Sequence, residues 1–404
     1  MSLSPAATEI SINPRPDVRR VSIFGSTGSI GVNTLDLIAG APDRFQVEVL
    51  TANENAALLA EQALKFGANL AVIGNEAKYR ELKSLLSGSG IEVAAGETAL
   101  SEAASRNVDW VMLGIVGAAG LAPTLAAARA GAIIAIANKE ALVCGGDLVL
   151  AEVKKYGATL LPVDSEHNAI FQVLDFDQIE NVSRLVLTAS GGPFLDFSID
   201  EMKTVTRDQA LAHPNWDMGA KISIDSATMM NKGLEFIEAV RLFPVPAEQI
   251  DILVHPQSVI HSMVEYSDGS VLAQMGAPDM RTPISYTLGW PERHGFAAER
   301  LDLAKIGSLT FQAPDLVKFP AIRLAREALS TGKSAPTVLN ASNEVAVHGF
   351  LEDRIGFLDI AAVVEESLAR APITELTSIE DIFECDRQSR EQAQIIMASY
   401  QARL

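Results

Sequence analysis

From Arg19 onward the chain alternates short β-branched runs with segments whose apolar residues recur every three or four positions. The pairs are 21–24 then 30–39, 47–50 then 56–66, and 70–73 then 76–86. The pattern continues through 110–115, an Ala-rich helix over 121–129, a strand over 133–136, a helix near 147–156 and an apolar run into Asp164. Strands that alternate with helices predict right-handed crossovers and a parallel sheet covered on both faces. The first part of the chain therefore reads as a doubly wound, Rossmann-like α/β domain. After Asp164 apolar strands recur at 184–187, 252–254, 259–264 and 271–274, with hairpin chemistry at Ser267-Asp268-Gly269-Ser270, so a central α+β region with its own sheet is expected. Amphipathic helical spacing resumes in 325–329, 338–350 and 360–368. The expected organisation is a loose tail over 1–18, a dinucleotide-binding domain over 19–163, a catalytic domain over 164–290 with a ligand-closing loop at 210–220, a linker over 291–315 and a helical domain over 316–404.

Composition narrows the classes. A length of 404 residues exceeds what one core usually supports, and 48% hydrophobic with 21% charged residues is ordinary for a globular chain. A formal charge of −19 argues against a general nucleic-acid or anionic-membrane surface, so an anionic ligand needs a locally basic pocket. The longest apolar region, 111–137, is broken by Pro123 and Arg129 and is no membrane span. Cys144 and Cys385 are too few and too far apart for a disulfide framework, and the first eighteen residues do not read as a signal peptide, so the cytoplasm is the expected compartment.

Candidate chemistry sits at the ends of the predicted strands. Gly25-Ser26-Thr27-Gly28-Ser29-Ile30-Gly31 follows the first strand, where glycines let a backbone approach a pyrophosphate and a helix start offers amide groups. Thr51-Ala52-Asn53-Glu54-Asn55 ends the second strand, where an acidic group suits a free ribose hydroxyl and a 2′-phosphate wants a base. Asn138-Lys139-Glu140 follows the strand at 133–136, and is equally readable as a helix start with a solvated charge pair. Asp164-Ser165-Glu166 follows another apolar run, and extended alternation would aim both carboxylates at one point, as a hard cation such as Mg²⁺ or Mn²⁺ requires. Alone, that triplet is an ordinary acidic strand end. Further on, Ser190-Gly191-Gly192-Pro193 could hold a phosphate, 213–219 reads as a loop with an aromatic residue, and Asn231 and Glu235 share one helical face beside Lys232. In isolation the last group is also a common surface-helix pattern.

Taken together, 25–31, 137–140, 161–171, 189–194, 213–219, 225–235 and His255-Pro256-Gln257-Ser258-Val259-Ile260-His261-Ser262 closely resemble the 1-deoxy-D-xylulose 5-phosphate reductoisomerase family, in order and along nearly the whole chain. The resemblance implies an enzyme that uses NADPH and a divalent metal, Mg²⁺ or Mn²⁺ with Co²⁺ as a further option. It would rearrange and reduce 1-deoxy-D-xylulose 5-phosphate to 2-C-methyl-D-erythritol 4-phosphate, as a homodimer. It implies metal ligands Asp164, Glu166 and Glu235, and a phosphate clamp of Ser190, Ser226, Asn231 and Lys232. Lys139, Ser165, Glu166, His213, Trp216 and Glu235 would surround the sugar, with Lys139, Glu166, His213 and Glu235 closest to the chemistry. Thr27, Gly28, Ser29, Ile30, Asn53, Glu54, Asn55, Asn138, Glu140 and Gly219 match cofactor positions. The family has a basic residue where Glu54 stands, a departure at the 2′-phosphate end; NADPH is still the expected cofactor. Two other readings are open at this stage: a metal-free NAD(P)-dependent dehydrogenase or semialdehyde reductase, and a dinucleotide-sensing scaffold without turnover.

Overall fold

In a computed structural model, which describes residues 17–216 and 218–401, the chain divides into two compact units. The tail expected over 1–18, apart from Asp17 and Val18, lies outside the described residues, as does Asp217 of the expected closing loop.

The first unit runs to Ala141 and takes in Val149–Asn168 and Asp279–Glu299. Its strands are β1 (Arg19–Phe24), β2 (Phe45–Ala52), β3 (Leu70–Ile73), β4 (Glu92–Ala95), β5 (Trp110–Leu113), β6 (Ile133–Ile136) and β7 (Thr159–Pro162). They form a sheet in the order β4-β3-β2-β1-β5-β6-β7, with every pair parallel. β3 and β5 are buried along their whole length, which is why both read as unbroken apolar runs. The strand order reverses between β1 and β5, and in such sheets ligands bind in the crevice beyond the carboxyl ends at that reversal. Val21, Ile23, Leu50, Ile73 and Met112 pack with Leu35, Ile38 and Leu59 from the covering helices. The helix Arg281–Gly289 also belongs here: Ile284 and Leu288 join this core, and the Arg19 guanidinium donates to Leu288 O (2.6 Å) and Trp290 O (2.9 Å).

The second unit comprises Leu142–Leu148, Ala169–Pro278 and Arg300–Leu404. Its strands β8 (Val182–Ala189), β9 (Ile250–Val254), β10 (Ile260–Tyr266) and β11 (Val271–Met275) are ordered β11-β10-β8-β9. β8 and β9 are parallel, while β10 runs antiparallel to both β8 and β11. Leu185, Leu187, Ile252 and Val254 share one hydrophobic cluster with Phe194, Phe236, Phe350, Phe357 and Ile396, so the C-terminal helices and this sheet have a common core. The outer edge of β9 is covered by the connecting segment, where Val254 and Gln312 exchange backbone hydrogen bonds of 2.8 and 3.0 Å. The helix Lys139–Tyr156 breaks at Gly145 (φ −124°, ψ 20°), and its residues are divided between the units. Among the described residues no helix is long and apolar enough to cross a membrane.

Candidate active site

In the first unit the glycine turn closes β1 at the point where strand order reverses. Gly25 has φ +85°, and a Cβ there would lie 2.7 Å from Gly114 O, so only glycine lets β1 and the loop after β5 come this close. Ser26 is a buried hub: its N–H donates to Thr51 O (2.7 Å), its hydroxyl to Gln62 Oε1 (2.7 Å), and Gln62 Nε2 to Ser26 O (3.0 Å). No spacing signal in the sequence marks Ser26 and Gln62 as partners. Thr27 and Ile30 are half-buried and Gly28 and Ser29 exposed. The helix Ser29–Ala39 has no side-chain cap and no acidic residue in its first turn, which leaves a positive dipole end suited to an anion.

At the end of β2, Asn55 Oδ1 accepts from Leu58 N (3.0 Å) and caps the next helix. Both Glu54 oxygens accept from Asn75 Nδ2 (3.0 and 2.9 Å), which turns Glu54 toward the end of β3. Asn138 uses its side chain internally: Oδ1 accepts from Ala141 N (2.6 Å) to cap the helix Lys139–Tyr156, and Nδ2 donates to Gly117 O (2.8 Å) and Ile115 O. Glu140 is buried in the first turn of that helix.

The extended alternation expected for Asp164 and Glu166 does not occur. β7 stops at Pro162, and Glu166 lies in the first turn of the helix Ser165–Val173. Asp164 sits where a cap residue would: its backbone O accepts from Asn168 N (2.8 Å), and its Oδ1 lies 3.4 Å from Glu166 N. The two carboxylates still converge, each offering an oxygen within 4.8 Å of the other. Asp164 Oδ2 is 2.8 Å from Lys139 Nζ, and Ser165 Oγ donates to Glu166 Oε2 (2.6 Å). His167, fully buried, brings Nδ1 to 3.8 Å from Asp164 Oδ1, a neighbour the sequence reading missed. The first unit thus unites Lys139, Asp164, Ser165 and Glu166 at the carboxyl edge of its sheet.

In the second unit Ser190 follows β8. Gly191 and Gly192 have φ +86° and +68°, and a Cβ on Gly192 would lie 2.8 Å from Ser226 O, so the turn after Ser190 packs directly against the backbone of Ser226. Ser190 Oγ accepts from Gly192 N (3.2 Å) and lies 3.0 Å from His213 Nε2. Asn231, Lys232 and Glu235 occupy the start of the helix Met230–Leu242, where Asn231 Nδ2 and Lys232 Nζ both donate to the Glu235 carboxylate. Residues 232–239 are all buried, which excludes a surface helix. Lys232, at 3% exposure, is a cation enclosed by protein, with Glu235 as counter-charge. The Trp216 and His261 rings are 6.1 Å apart, and Gly219 precedes the helix Ala220–Ala227 as its N-cap. Asp225, 1% exposed, receives Asn343 Nδ2 (2.8 Å) and Lys221 Nζ (2.8 Å), a partnership between residues 118 apart that no local pattern foreshadows.

Likeness to known proteins decides the family. Residues 21–146 match the family model for 1-deoxy-D-xylulose 5-phosphate reductoisomerase, residues 160–243 the model for its C-terminal domain, and residues 275–392 the DXP reductoisomerase C-terminal domain. A 1-deoxy-D-xylulose 5-phosphate reductoisomerase of Rhodospirillum centenum is 58% identical over 395 residues, covering 96% of this chain and 98% of its own. The chain belongs to the 1-deoxy-D-xylulose 5-phosphate reductoisomerase family. A reductoisomerase of Zymomonas mobilis is 54% identical over 95% of this chain and 99% of its own length. The solved structure of a Zymomonas mobilis reductoisomerase in complex with NADPH superposes with a TM-score of 0.90 at 53% identity, covering 95% of this chain and all of that one. A DOX-P reductoisomerase in complex with NADPH, fosmidomycin and magnesium gives 0.89 at 43% identity, covering 94% of this chain and 98% of that one. The doubly wound first unit and the helical C-terminal region are those of the reductoisomerase family, as read from the sequence.

Proposed function

We propose that the chain carries out its family's reaction. It is an NADPH- and divalent-metal-dependent enzyme that isomerises and reduces 1-deoxy-D-xylulose 5-phosphate to 2-C-methyl-D-erythritol 4-phosphate, in the synthesis of isoprenoid precursors by the non-mevalonate route. The observation that carries this reading is one domain holding both a dinucleotide turn and the convergent pair Asp164 and Glu166 beside Lys139. A metal-free dehydrogenase has no use for that pair.

The donor chemistry fits a hard cation. Asp164 and Glu166 offer only oxygen, as does Glu235, and oxygen ligands suit Mg²⁺, Mn²⁺ and to a lesser degree Co²⁺. In this proposal Asp164, Glu166 and Glu235 hold the ion, Ser190, Ser226, Asn231 and Lys232 hold the phosphate, and Lys139, Ser165, Glu166, His213, Trp216 and Glu235 surround the sugar. Thr27, Gly28, Ser29, Ile30, Asn53, Glu54, Asn55, Asn138, Glu140 and Gly219 are the proposed cofactor positions. When bound, the ion supplies positive charge against a developing oxyanion, and NADPH supplies hydride. The ammonium of Lys139, fixed by Asp164, orients substrate oxygens. Lys232 gives a dianionic phosphate a local cation within an acidic protein, and Trp216 and His213 exclude water from the reacting end.

Glu235→Gln tests the ligand set. Turnover is expected to fall at least about a hundredfold and Mn²⁺ affinity, followed by electron paramagnetic resonance, to fall with it, while NADPH binding stays as in the wild type. Normal turnover at limiting metal would remove Glu235 from the site. Two further assignments belong to the proposal. A homodimer is supported by the resemblance and by β11, an edge strand with Val271 and Leu272 half exposed; light scattering should give twice the 43.1 kDa chain mass. A cytoplasmic location is supported by two cysteines that form no disulfide.

A further inference from the structure

The surroundings of His213 fix where its ring proton sits. Nδ1 accepts the backbone N–H groups of Asn215 (3.2 Å) and Trp216 (3.0 Å), so the neutral ring carries its proton on Nε2 and donates it to Ser190 Oγ at 3.0 Å. Ser190 Oγ also accepts from Gly192 N (3.2 Å). A hydroxyl that already accepts two hydrogen bonds has its own hydrogen left to give. Ser190 is thereby preset as a donor, the polarity an anionic oxygen needs.

That arrangement depends on the chain after Pro214 keeping its course, and the Asn215 side chain holds it. Asn215 Nδ2 donates to Pro256 O (2.8 Å) and to Ser258 Oγ (3.1 Å). Ser258 has φ 51°, a conformation that costs a non-glycine residue free energy and persists only where its surroundings enforce it. Here they do: the Ser258 N–H donates to His255 O (3.0 Å), and Ser258 Oγ turns its hydrogen to the same carbonyl (3.4 Å), which leaves its lone pairs toward Asn215. Neither Asn215 nor Ser258 was singled out as a site residue in the sequence reading.

We propose that Asn215 and Ser258 form a latch that holds residues 213–216 against the turn 255–258, keeps His213 in its Nε2–H tautomer, and so aims the Ser190 hydroxyl at the substrate phosphate. This rests on the phosphate clamp of the preceding subsection and extends it. Both are positioning residues. The latch acts on the phosphate end of the substrate, so its loss appears in sugar-phosphate binding and leaves NADPH binding alone.

The test uses the full chain with Asn215→Ala, Ser258→Ala and the double variant. Four quantities are read: KM for 1-deoxy-D-xylulose 5-phosphate, the inhibition constant of inorganic phosphate, the NADPH dissociation constant by fluorescence, and the ring ¹⁵N shifts of the six histidines. Asn215→Ala should raise KM and the phosphate constant by about tenfold, the loss expected from two hydrogen bonds, with kcat and NADPH affinity changed less than about threefold. The double variant should be no worse than Asn215→Ala by more than about twofold, because both changes cut one link. The His213 ¹⁵N pattern should move from Nε2–H in the wild type to a tautomer mixture in Asn215→Ala, a change that simple destabilisation would not produce. Unchanged KM and phosphate inhibition, additive losses in the double variant, or an unaltered tautomer would each overturn the latch. A wild type that fails to oxidise NADPH with the sugar phosphate overturns the reading of function itself; a wild type that turns over while Asn215→Ala matches it overturns the latch alone.

Discussion

A methyl group on Gly31 would overlap Gly25 O and Ser26 Cα, so this position holds the helix Ser29–Ala39 against the turn that precedes it. Gly31→Ala is expected to destabilise the chain by about 1–3 kcal/mol, the usual cost of overpacking, and to weaken NADPH binding together with stability. Urea unfolding and cofactor fluorescence check both, and full affinity with full stability would show that the turn has room to spare. Gly25 and Gly31 were legible because each meets a backbone demand that no other residue satisfies, whereas a Cβ on Gly28 would make only an ordinary contact, 3.5 Å from Gly25 O. Ser26 and Gln62 were not, since a buried hydrogen bond between residues 36 apart leaves no trace in local pattern. The same holds for Asn215 and Ser258, which meet across 43 residues.

Elements were legible where periodicity ran long enough. The helix Ala56–Phe66 and the strand Leu70–Ile73 stand where the apolar spacing puts them. The i, i+4 relation of Asn231 and Glu235 is seen directly in their hydrogen bond. Asp164 to Glu166 is the instructive failure: three residues are too few to separate period 2 from period 3.6, and a cap at Asp164 turned the predicted strand end into a helix start. β4 and its following helix Gly96–Ala104 also went unread, because β4 is only partly buried and carries little apolar signal. Two predictions belong to this scale. The helix Ala335–Leu351 delivers Asn343 to the buried Asp225, so Asn343→Leu, which takes a donor from a buried carboxylate, should cost about 1–3 kcal/mol in urea unfolding; no loss would mean that Lys221 suffices. Asp279 is raised by burial, but hydrogen bonds from Arg281 outweigh this and hold its carboxyl below the ordinary value of 3.8. A carboxyl lowered in the folded state adds stability above its unfolded pKa and loses it as pH falls through the folded one. Asp279→Asn should therefore cost up to about 1 kcal/mol at pH 7, a gap that closes below about pH 4; a gap that persists in acid would rule out charge as its source.

At the scale of the whole molecule, the alternating pattern announced a doubly wound domain, and the polar cluster Asp164–Glu166 stands at the carboxyl edge of its sheet beside Lys139. Two features stayed hidden because they are long-range. The chain returns to the first unit at Asp279–Glu299, tied by Arg19 to Leu288 and Trp290. The C-terminal helices share a core with the second sheet, through pairs such as Phe194 and Phe357 with ring centroids 4.9 Å apart. With a net charge of −19 the chain still encloses two lysines, Lys139 and Lys232, and the proposed phosphate clamp relies on the second of them as its cation. The most direct measurement of the central claim follows NADPH absorbance with purified protein and 1-deoxy-D-xylulose 5-phosphate, after chelation and then with Mg²⁺ or Mn²⁺ restored, and again with NADH in place of NADPH. The account predicts oxidation that requires both sugar phosphate and metal and that favours NADPH despite Glu54. Oxidation indifferent to chelation, or none with NADPH bound and metal present, would contradict it.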